Sequence, residues 1–423
     1  MKVLLVGKSA AHGGAAIASC RLMEILRERG VDVSMLVQEG GNEKEAVYST
    51  TRTVLKKQVN FLRFIWERLV FLRHEKSREI RFLFSLANTG ERLSRNHLVR
   101  EADILHLQWV NGGFLSRKSI RKLLSLGKPV VWTFHDMWPM TGGCHHALTC
   151  DRYMHECGEC IYLKHPRKND LSHRLWRRKK RMYRDRNFTV IAPSKWMAGR
   201  VKESSLLGHM DVHTIHNPVD QTRFRPVDRK QACANLGLDP SRRYILFGAA
   251  SVKNLYKGFT YFQEAVRLLS GDPGTSDDVE ILIFGKAGRD VSRLLPLKTH
   301  VVDYVSSEQT MVDLYNVARL YVISSLQDNF PGTVVESMLC GTPVAGFRTG
   351  GIPEMIAHLE DGYLAEHKSA GDLAEGMKWI LSCEPYPELS KKVRSAAVRR
   401  FSMERSAEKH AELYRNLLEQ NKP

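Results

Sequence analysis

Short apolar runs and helical spacings alternate along the first forty residues. A strand-like run at 3–6 is followed by a loop of small residues at 9–14. The next apolar positions recur every three or four residues, as in a helix, and they are Ile17, Cys20, Met23 and Leu26. From Val31 to Val37 apolar and other residues alternate with the period of a strand. This order predicts a βαβ unit at the start of a parallel sheet.

The same alternation of strand and helix patterns continues to the end of the chain. Further strands in the first half are predicted at 104–107, 129–134 and 188–192. Strands in the second half are predicted at 244–247, 280–284, 301–305, 320–324 and 343–347. Helix-length segments separate many of these runs, so the pattern predicts two doubly wound α/β domains.

A polar segment with two prolines separates the two halves. Because Pro218 and Pro226 disfavour helices and central strands, we place the domain boundary there, giving domains 1–216 and 217–403. A last helix is predicted at 404–420, and its apolar side is free to pack on either domain, including back on the first. Ligands of open α/β sheets bind beyond the carboxyl ends of the strands, so functional residues are expected on strand-to-helix loops.

Composition places the chain among ordinary globular proteins. It has 423 residues, 43% hydrophobic and 26% charged, which excludes a largely disordered or collagen-like chain. Lys and Arg number 64 against 46 acids, a net charge of +18, so an anionic partner is expected. The apolar run at the N-terminus is shorter than a secretory signal, and no stretch reaches the ~18 apolar residues of a membrane span. We therefore expect a cytoplasmic protein that is soluble or peripheral on the inner face of the membrane.

The most informative motif runs from Ser324 to Glu354. Within it, Asp328 and Glu336 lie eight positions apart, across a turn that opens a helix. The motif resembles the donor-binding segment of the retaining nucleotide-sugar transferases of glycosyltransferase family 4, as in bacterial capsule and exopolysaccharide (colanic acid-type) enzymes. That resemblance implies the GT-B fold, two facing Rossmann-like doubly wound domains with the active-site crevice between them.

The start of this helix is chemically suited to phosphate. Its first backbone N–H groups lack intrahelical partners and lie at the positive end of the helix dipole. By resemblance, Asp328 and the turn hold the donor sugar and phosphates, and Glu336 accepts hydrogen bonds from the ribose. The residues of the turn are Asn329, Phe330, Pro331, Gly332 and Thr333. The alternative is a structural loop that caps a helix.

Two places in the first domain extend the resemblance. Gly13 and Gly14 match the family's N-terminal loop, where the lack of bulky side chains lets the backbone approach the donor phosphates. His135 ends a predicted strand and matches the histidine that contacts the transferred sugar, with Asp136 expected to orient it. The alternatives are a loop common to unrelated βαβ units and a structural histidine at a strand end.

One lysine in the second domain matches a family position. Lys257 corresponds to the lysine that neutralises the leaving diphosphate, which is a large electrostatic contribution in such transfers. The family's arginine five residues earlier is absent, because position 252 is Val. Lys253 is the candidate substitute, and the alternative is a solvated surface lysine.

A cysteine-rich insert occupies 144–160. Its spacing, Cys-x5-Cys-x6-Cys-x2-Cys, suits a tetrahedral structural zinc. The candidate ligands are Cys144, Cys150, Cys157 and Cys160. The alternatives are free buried thiols and disulfides formed on isolation. Since no Asp-x-Asp motif is present, no metal cofactor is expected for catalysis.

Two basic regions carry much of the positive charge. Region 56–81 interleaves cations with apolar residues, as an interfacial amphipathic helix does, and region 174–186 combines cations with Trp176 and Tyr183. We expect both to attract an anionic membrane surface and a lipid-diphosphate acceptor. The alternative for each is a core helix with a solvated basic side.

These features predict transfer of a hexosyl group from a UDP- or GDP-sugar to a saccharide, with retention of anomeric configuration. The first domain is expected to bind the acceptor and the second the donor. The acceptor is expected to be lipid-linked, in assembly of a bacterial surface polysaccharide. One alternative is a GT-B transferase with a soluble sugar or sugar-phosphate acceptor. A basic nucleic-acid-binding protein is a remote alternative, and no nucleic acid partner is expected because no such motif accompanies the basic runs.

Overall fold

The computed structural model describes residues 1–272, 277–303, 305 and 307–421. These residues form two compact units. Unit 1 comprises Met1–Asn217 and the segment that begins at Glu404, and unit 2 comprises Pro218–Met403. The boundary expected from the two prolines lies one residue from this division. Within the described ranges, each helix is too short or too polar to span a bilayer.

In the described residues, unit 1 is built on a parallel sheet of seven strands. They are β1 (Lys2–Ser9), β2 (Asp32–Glu39), β3 (Val47–Ser49), β4 (Ile104–Leu107), β5 (Val130–Thr133), β6 (Thr189–Ala192) and β7 (Val212–Thr214). Their spatial order is β3-β2-β1-β4-β5-β6-β7. Val3 of β1 pairs with Val33 on one side and Ile104 on the other. The winding direction therefore reverses between β1 and β4, which is where an open sheet accommodates a ligand.

Helices cover both faces of this sheet, which explains why its central strands are buried and mostly apolar. They are α1 (Gly14–Glu28), α2 (Val54–Leu72), α3 (His97–Glu101), α4 (Arg117–Leu123), α5 (Leu171–Tyr183), α6 (Lys195–Glu203) and the C-terminal α14 (Met403–Gln420). The final helix packs on unit 1, since the Tyr414 hydroxyl lies 2.7 Å from Nδ1 of buried His106. Ser406 Oγ also donates to the His216 carbonyl oxygen at 2.7 Å.

Unit 2 repeats this architecture with a six-stranded parallel sheet in its described residues. The strands are β8 (Arg243–Ser251), β9 (Val279–Lys286), β10 (Thr299–Val302), β11 (Ala318–Ile323), β12 (Val344–Phe347) and β13 (Gly362–Ala365). Their spatial order, β10-β9-β8-β11-β12-β13, reverses between β8 and β11. The helices are α7 (Arg229–Leu236), α8 (Phe259–Ser270), α9 (Gly288–Ser292), α10 (Glu308–Val317), α11 (Gly332–Leu339), α12 (Ala370–Ser382) and α13 (Tyr386–Arg400).

Differences from the sequence-based strands are confined to short or marginal segments. The strand predicted at 301–305 is β10, which ends at Val302, and Tyr304 lies outside the described residues. The strands β3, β7 and β13 were not predicted, because three or four residues are too few to establish a period of two.

Candidate functional site

Two predicted site residues of unit 2 meet at the point where its sheet reverses direction. Lys257 follows β8 and Asp328 follows β11, and the lysine Nζ lies 2.6 Å from Oδ2 of the aspartate. Burial by itself lowers the pKa of Lys257, but the Asp328 carboxylate outweighs it and raises that pKa above its ordinary value. The lysine is therefore a permanent cation at this edge of the sheet.

The Lys257 loop is held at the end of β11 by the side chain of Ser324, the residue that follows that strand. Ser324 Oγ donates to the carbonyl oxygens of Lys257 at 3.0 Å and Gly258 at 2.9 Å. Gly258 has φ +67°, and a Cβ at that position would collide with the carbonyl oxygen of Ser324. A glycine is therefore needed directly after Lys257 for this close approach.

The turn after Asp328 leads into α11. The backbone N–H of Asn329 donates to Asp328 Oδ1 at 3.1 Å. Pro331 is the N-cap and makes no side-chain capping bond, and Tyr321 Oη donates to Thr333 Oγ1 at 3.1 Å in the first turn. Among the described residues, then, no N-cap side chain covers the amide groups at the start of α11, a location that favours an anionic oxygen.

Glu336 lies one turn into α11 and is buried. Its Oε2 accepts a hydrogen bond of 3.0 Å from the Tyr315 hydroxyl, which fixes the carboxylate orientation. Burial and then the neighbouring Glu336 charge raise the pKa of Tyr315 well above its ordinary value, so the phenol remains a donor. Sequence reasoning missed Tyr315, which lies on α10 and approaches Glu336 only through packing of the two helices.

In unit 1, the glycine loop leads directly from β1 into α1. Gly13 has φ +94° and caps the helix that begins at Gly14. A Cβ on either glycine would meet no other atom within 4 Å, so the space beside the loop is open. Ser9 Oγ accepts hydrogen bonds from the backbone N–H groups of Ala11 and His12 at 3.1 and 3.2 Å, which shapes the loop.

His135 follows β5 and is held by a residue that follows β4. Its Nε2 lies 2.8 Å from Oε1 of Gln108, which also accepts from Ser19 Oγ at 3.1 Å. Burial lowers the pKa of His135 to about 4, against a smaller opposing effect of Asp136, so the imidazole is neutral at pH 7. Sequence reasoning missed Gln108. The signal was present, because a polar residue directly follows a buried strand.

The Asp136 carboxylate contacts Trp109, Trp138 and His145, whereas the sequence predicted that it would orient His135. The carboxylate accepts from Trp109 Nε1 at 2.8 Å and from the backbone N–H of Trp138 at 2.8 Å, and lies 2.7 Å from His145 Nδ1. Burial raises the pKa of Asp136, but His145 and the Trp138 N–H together lower it to about 2. The prediction that Asp136 orients His135 is therefore corrected, since this carboxylate organises the loop after β5.

Lys253 pairs with a partner of its own. Its Nζ lies 2.8 Å from Asp290 Oδ2, and both side chains are more than half exposed. Val252, at the position of the missing arginine, is fully buried. This geometry favours the interpretation of Lys253 as a surface lysine.

The cysteines of the insert are free thiols. The backbone N–H of Gly142 donates to Cys157 Sγ at 3.1 Å. Burial first, with smaller contributions from the neighbouring thiols, raises the pKa values of Cys144, Cys157 and Cys160. In the part of the chain that the structure describes, no three His, Cys, Asp or Glu side chains are grouped as metal ligands. The zinc site at these residues and Cys150 stays a prediction.

The second basic region, 174–186, differs from the expected aromatic patch. Trp176 and Tyr183 are buried in the core of unit 1. Lys179 is also buried, and it donates to the carbonyl oxygens of Trp138 and Thr141. The exposed residues of α5 are all cationic, namely Arg174, Arg177, Arg178, Lys180 and Arg181, and exposed Arg184 follows directly after the helix.

Two family models together match most of both units. Residues 12–223 match the model described as Glycosyltransferase Family 4, which is half of the chain. Residues 242–383 match the model described as Glycosyl transferases group 1.

Two curated relatives match over half of the chain or less. N-acetyl-alpha-D-glucosaminyl L-malate synthase of Bacillus anthracis is 23% identical over 218 residues, covering 50% of this chain and 55% of that protein. D-inositol 3-phosphate glycosyltransferase 1 of Catenulispora acidiphila is 30% identical over 181 residues, covering 40% and 43%. The chain thus spans about half the length of the curated relatives it matches.

Solved structures extend the likeness over the whole chain. Sucrose-phosphate synthase from Thermosynechococcus elongatus superposes with a TM-score of 0.69 at 16% identity, covering 99% of this chain and 100% of that one. Anabaena HepE in complex with UDP and glucose gives 0.65 at 15% identity, covering 98% and 99%. With the two parallel sheets, these likenesses establish the GT-B fold expected from the sequence. The chain belongs to glycosyltransferase family 4.

Proposed function

We propose that this protein transfers a hexosyl group from a nucleoside-diphosphate sugar to a saccharide acceptor, with retention of anomeric configuration. The observation that carries the proposal is the group of residues at the reversal of the unit 2 sheet. A fixed cation, Lys257, adjoins Asp328, and the Tyr321 hydroxyl bonds to Thr333 in the first turn of α11, the helix that carries Glu336. The group combines charge for a diphosphate with carboxylates for sugar hydroxyls.

Each of the unit 2 site residues is proposed to bind a different part of the donor. The start of α11 and Lys257 bind the diphosphate, and the lysine charge stabilises the leaving group as the glycosidic bond breaks. Glu336, whose carboxylate is oriented by Tyr315, accepts from the ribose hydroxyls. Asp328 and the Asn329–Thr333 backbone hold the donor sugar.

In unit 1, His135 is proposed to hydrogen-bond the transferred sugar. A neutral imidazole can both donate and accept, and Gln108 fixes the plane of its ring. Gly13 and Gly14 supply open backbone beside which phosphate oxygens can be bound. No metal cofactor is assigned to catalysis, because Lys257 and the α11 amides supply the positive electrostatics.

The donor base is proposed to be uracil or guanine. HepE, a structural neighbour, was crystallised with UDP and with glucose, which makes UDP and UDP-glucose the first probes. The names of the curated relatives point to small acceptors, inositol phosphate and malate.

The acceptor is proposed to belong to one of two classes. The first is a lipid-linked saccharide on the cytoplasmic side of a membrane, in surface polysaccharide assembly, which the positive charge of unit 1 supports. The second is a soluble sugar or sugar phosphate, which the names of the curated relatives support. Assays with matched lipid-linked and soluble acceptors distinguish them.

The donor site is tested by calorimetric titration of UDP, GDP and their sugars into the wild type and Glu336→Gln. We expect one nucleotide to bind and its affinity to fall by about tenfold or more in the variant, the loss of one charged hydrogen-bond acceptor. Glu264→Gln is the matched control, because Glu264 is an exposed acid of α8 in the same unit. A folded wild type that binds no nucleotide, or equal affinity in both variants, contradicts the proposal.

A further inference from the structure

Helix α2 presents apolar side chains to solvent. Phe61, Leu62 and Trp66 are 62%, 63% and 58% exposed, whereas a helix in a globular protein ordinarily turns such residues inward. The other exposed apolar residues of this helix are Val54, Leu55, Val59, Leu69 and Leu72. Spacings of three, four and seven residues place most of them on one broad side of the helix.

The side of α2 that packs on unit 1 is largely polar. Glu67 is fully buried, and its Oε1 accepts from the backbone N–H groups of Leu86 at 2.6 Å and Ala87 at 2.9 Å. Buried Arg68 donates to the Phe84 carbonyl oxygen at 3.0 Å, and buried Asn60 donates to Glu91 Oε1 at 2.9 Å. These bonds hold the helix with its apolar side outward.

A second element extends the apolar surface. Phe82 is 62% exposed, and its ring lies 6.3 Å from that of Phe64 on α2. We call the exposed apolar residues of α2 together with Phe82 the outer face. Rigid aromatic and leucine side chains in one contiguous area mark an interaction surface.

The charges around the outer face have one predominant sign. Between residues 54 and 82 the exposed cations are Lys56, Lys57, Arg73, Lys76 and Arg78, and the exposed acid is Glu79. Glu67 and Glu75, the other acids of this segment, are buried. A second copy of this chain would bring the same positive charge to the contact, which disfavours self-association through this face. An anionic bilayer complements both its apolar and its cationic parts.

We propose that the outer face docks on an anionic lipid bilayer, with α2 lying in the membrane interface. The exposed apolar residues enter the headgroup and acyl boundary, and the flanking lysines and arginines contact lipid phosphates. Because Glu67 and Arg68 anchor the helix to unit 1, the helix is in place before it meets the membrane. This docking goes beyond glycosyl transfer and does not depend on it.

The test is co-sedimentation of the full chain with vesicles, without nucleotide. The probes are vesicles of phosphatidylglycerol mixed with phosphatidylcholine, and vesicles of phosphatidylcholine alone. We expect the wild type to sediment with the anionic vesicles. The variant Phe61→Ser/Leu62→Ser/Trp66→Ser should lower the partition coefficient by about a hundredfold or more, since burial of each such side chain contributes about tenfold.

The controls separate docking from folding and from catalysis. Leu294→Ser replaces an equally exposed leucine of unit 2 and should bind vesicles as the wild type does. The triple variant should keep the wild-type melting temperature and nucleotide affinity, because its three side chains lie outside the core. Lys56→Ser/Lys57→Ser should weaken binding to anionic vesicles by about fivefold per charge.

Three results overturn the proposal: a wild type that remains in the supernatant, a triple variant that sediments as the wild type does, or equal binding to neutral and anionic vesicles. A wild-type dimer that the triple variant converts to monomer, without vesicle binding, assigns the outer face to self-association instead. Loss of nucleotide binding by Glu336→Gln has no bearing on any of these results.

Discussion

In unit 2 the Lys257 ammonium lies 2.6 Å from the Asp328 carboxylate, although the two residues are 71 positions apart in the chain. Adjacent strands bring them together, because each residue follows the carboxyl end of its strand where the sheet reverses direction. The pair keeps a cation and an anion in one place. An arriving diphosphate is attracted to the first, and sugar hydroxyls can donate to the second.

Lys257→Met should lower kcat/KM by about 10²–10³-fold, the usual effect of removing one preorganised charge from a leaving group. Lys253→Met should change it less than about threefold, because Lys253 pairs with exposed Asp290 and exposed ion pairs contribute little. Steady-state kinetics with the donor identified by calorimetry measures both. Equal losses in the two variants would show that Lys253 replaces the missing arginine.

Tyr315→Phe should weaken nucleotide binding by about threefold to tenfold, since the hydroxyl that orients Glu336 contributes about one neutral-to-charged hydrogen bond. Tyr244→Phe is the matched control, because that hydroxyl bonds to the backbone N–H and carbonyl oxygen of Asp239 rather than to a carboxylate. Titration calorimetry is the measurement. If the control loses as much affinity, the effect arises from general loss of packing.

Gln108→Met should lower kcat by about tenfold and leave the nucleotide Kd unchanged. The substitution preserves side-chain volume and removes the oxygen beside His135 Nε2, so the imidazole loses its fixed orientation. Gln263→Met, at a partly exposed position of α8, serves as the control. An unchanged kcat would mean that Gln108 has a structural role only.

Acid should destabilise unit 1 between about pH 6.5 and pH 4. Burial lowers the pKa of His410 to about 4 and that of His106 well below its ordinary value. In this range the unfolded chain binds protons that the folded chain does not, so the free energy of unfolding falls by about 1.4 kcal/mol per pH unit for each fully buried histidine.

Urea unfolding at pH 7 and pH 5 measures this slope. His410→Gln should reduce the pH dependence by roughly one proton, because glutamine does not titrate. His165→Gln, at an exposed position, should leave it unchanged. Identical slopes in all three proteins would exclude His410 as a source of the acid sensitivity.

Metal analysis decides the prediction for the cysteine-rich insert. About one zinc per chain is expected in protein purified without chelator, falling to background in Cys157→Ser/Cys160→Ser, since thiolates are the ligands of structural zinc. Cys383→Ser, in unit 2, should retain the wild-type content. A metal-free wild type with four titratable thiols in the insert would support free buried cysteines.

The family resemblance singled out Asp328 and Glu336 from the sequence, because the motif of strand end, turn and helix start is contiguous in the chain. Lys257 was identified in the same local way. The contacts of Gln108 with His135 and of Tyr315 with Glu336 could not be predicted, since strand order and helix packing, which are long-range properties, bring these residues together. The same reason explains why Asp136 was given to His135 rather than to Trp109 and His145.

Helix α2 shows a second limit of prediction from the sequence. The spacing of its apolar residues predicted an amphipathic helix. Surface helices of globular proteins ordinarily turn the apolar side toward the core. The orientation is instead decided by hydrogen bonds that the Leu86 and Ala87 backbone N–H groups donate to Glu67, which no local pattern reveals. Core strands such as β1 were found because Val3–Val6 form an apolar run that covers both faces of the strand.

The return of α14 to unit 1 has a consequence for biosynthesis. Tyr414 supplies a hydroxyl to His106, so unit 1 contains a buried histidine whose partner is encoded after the whole of unit 2. During translation, unit 2 emerges from the ribosome and can fold while unit 1 still lacks its last helix. A stop codon near position 404 would therefore harm the half of the protein that is synthesised first.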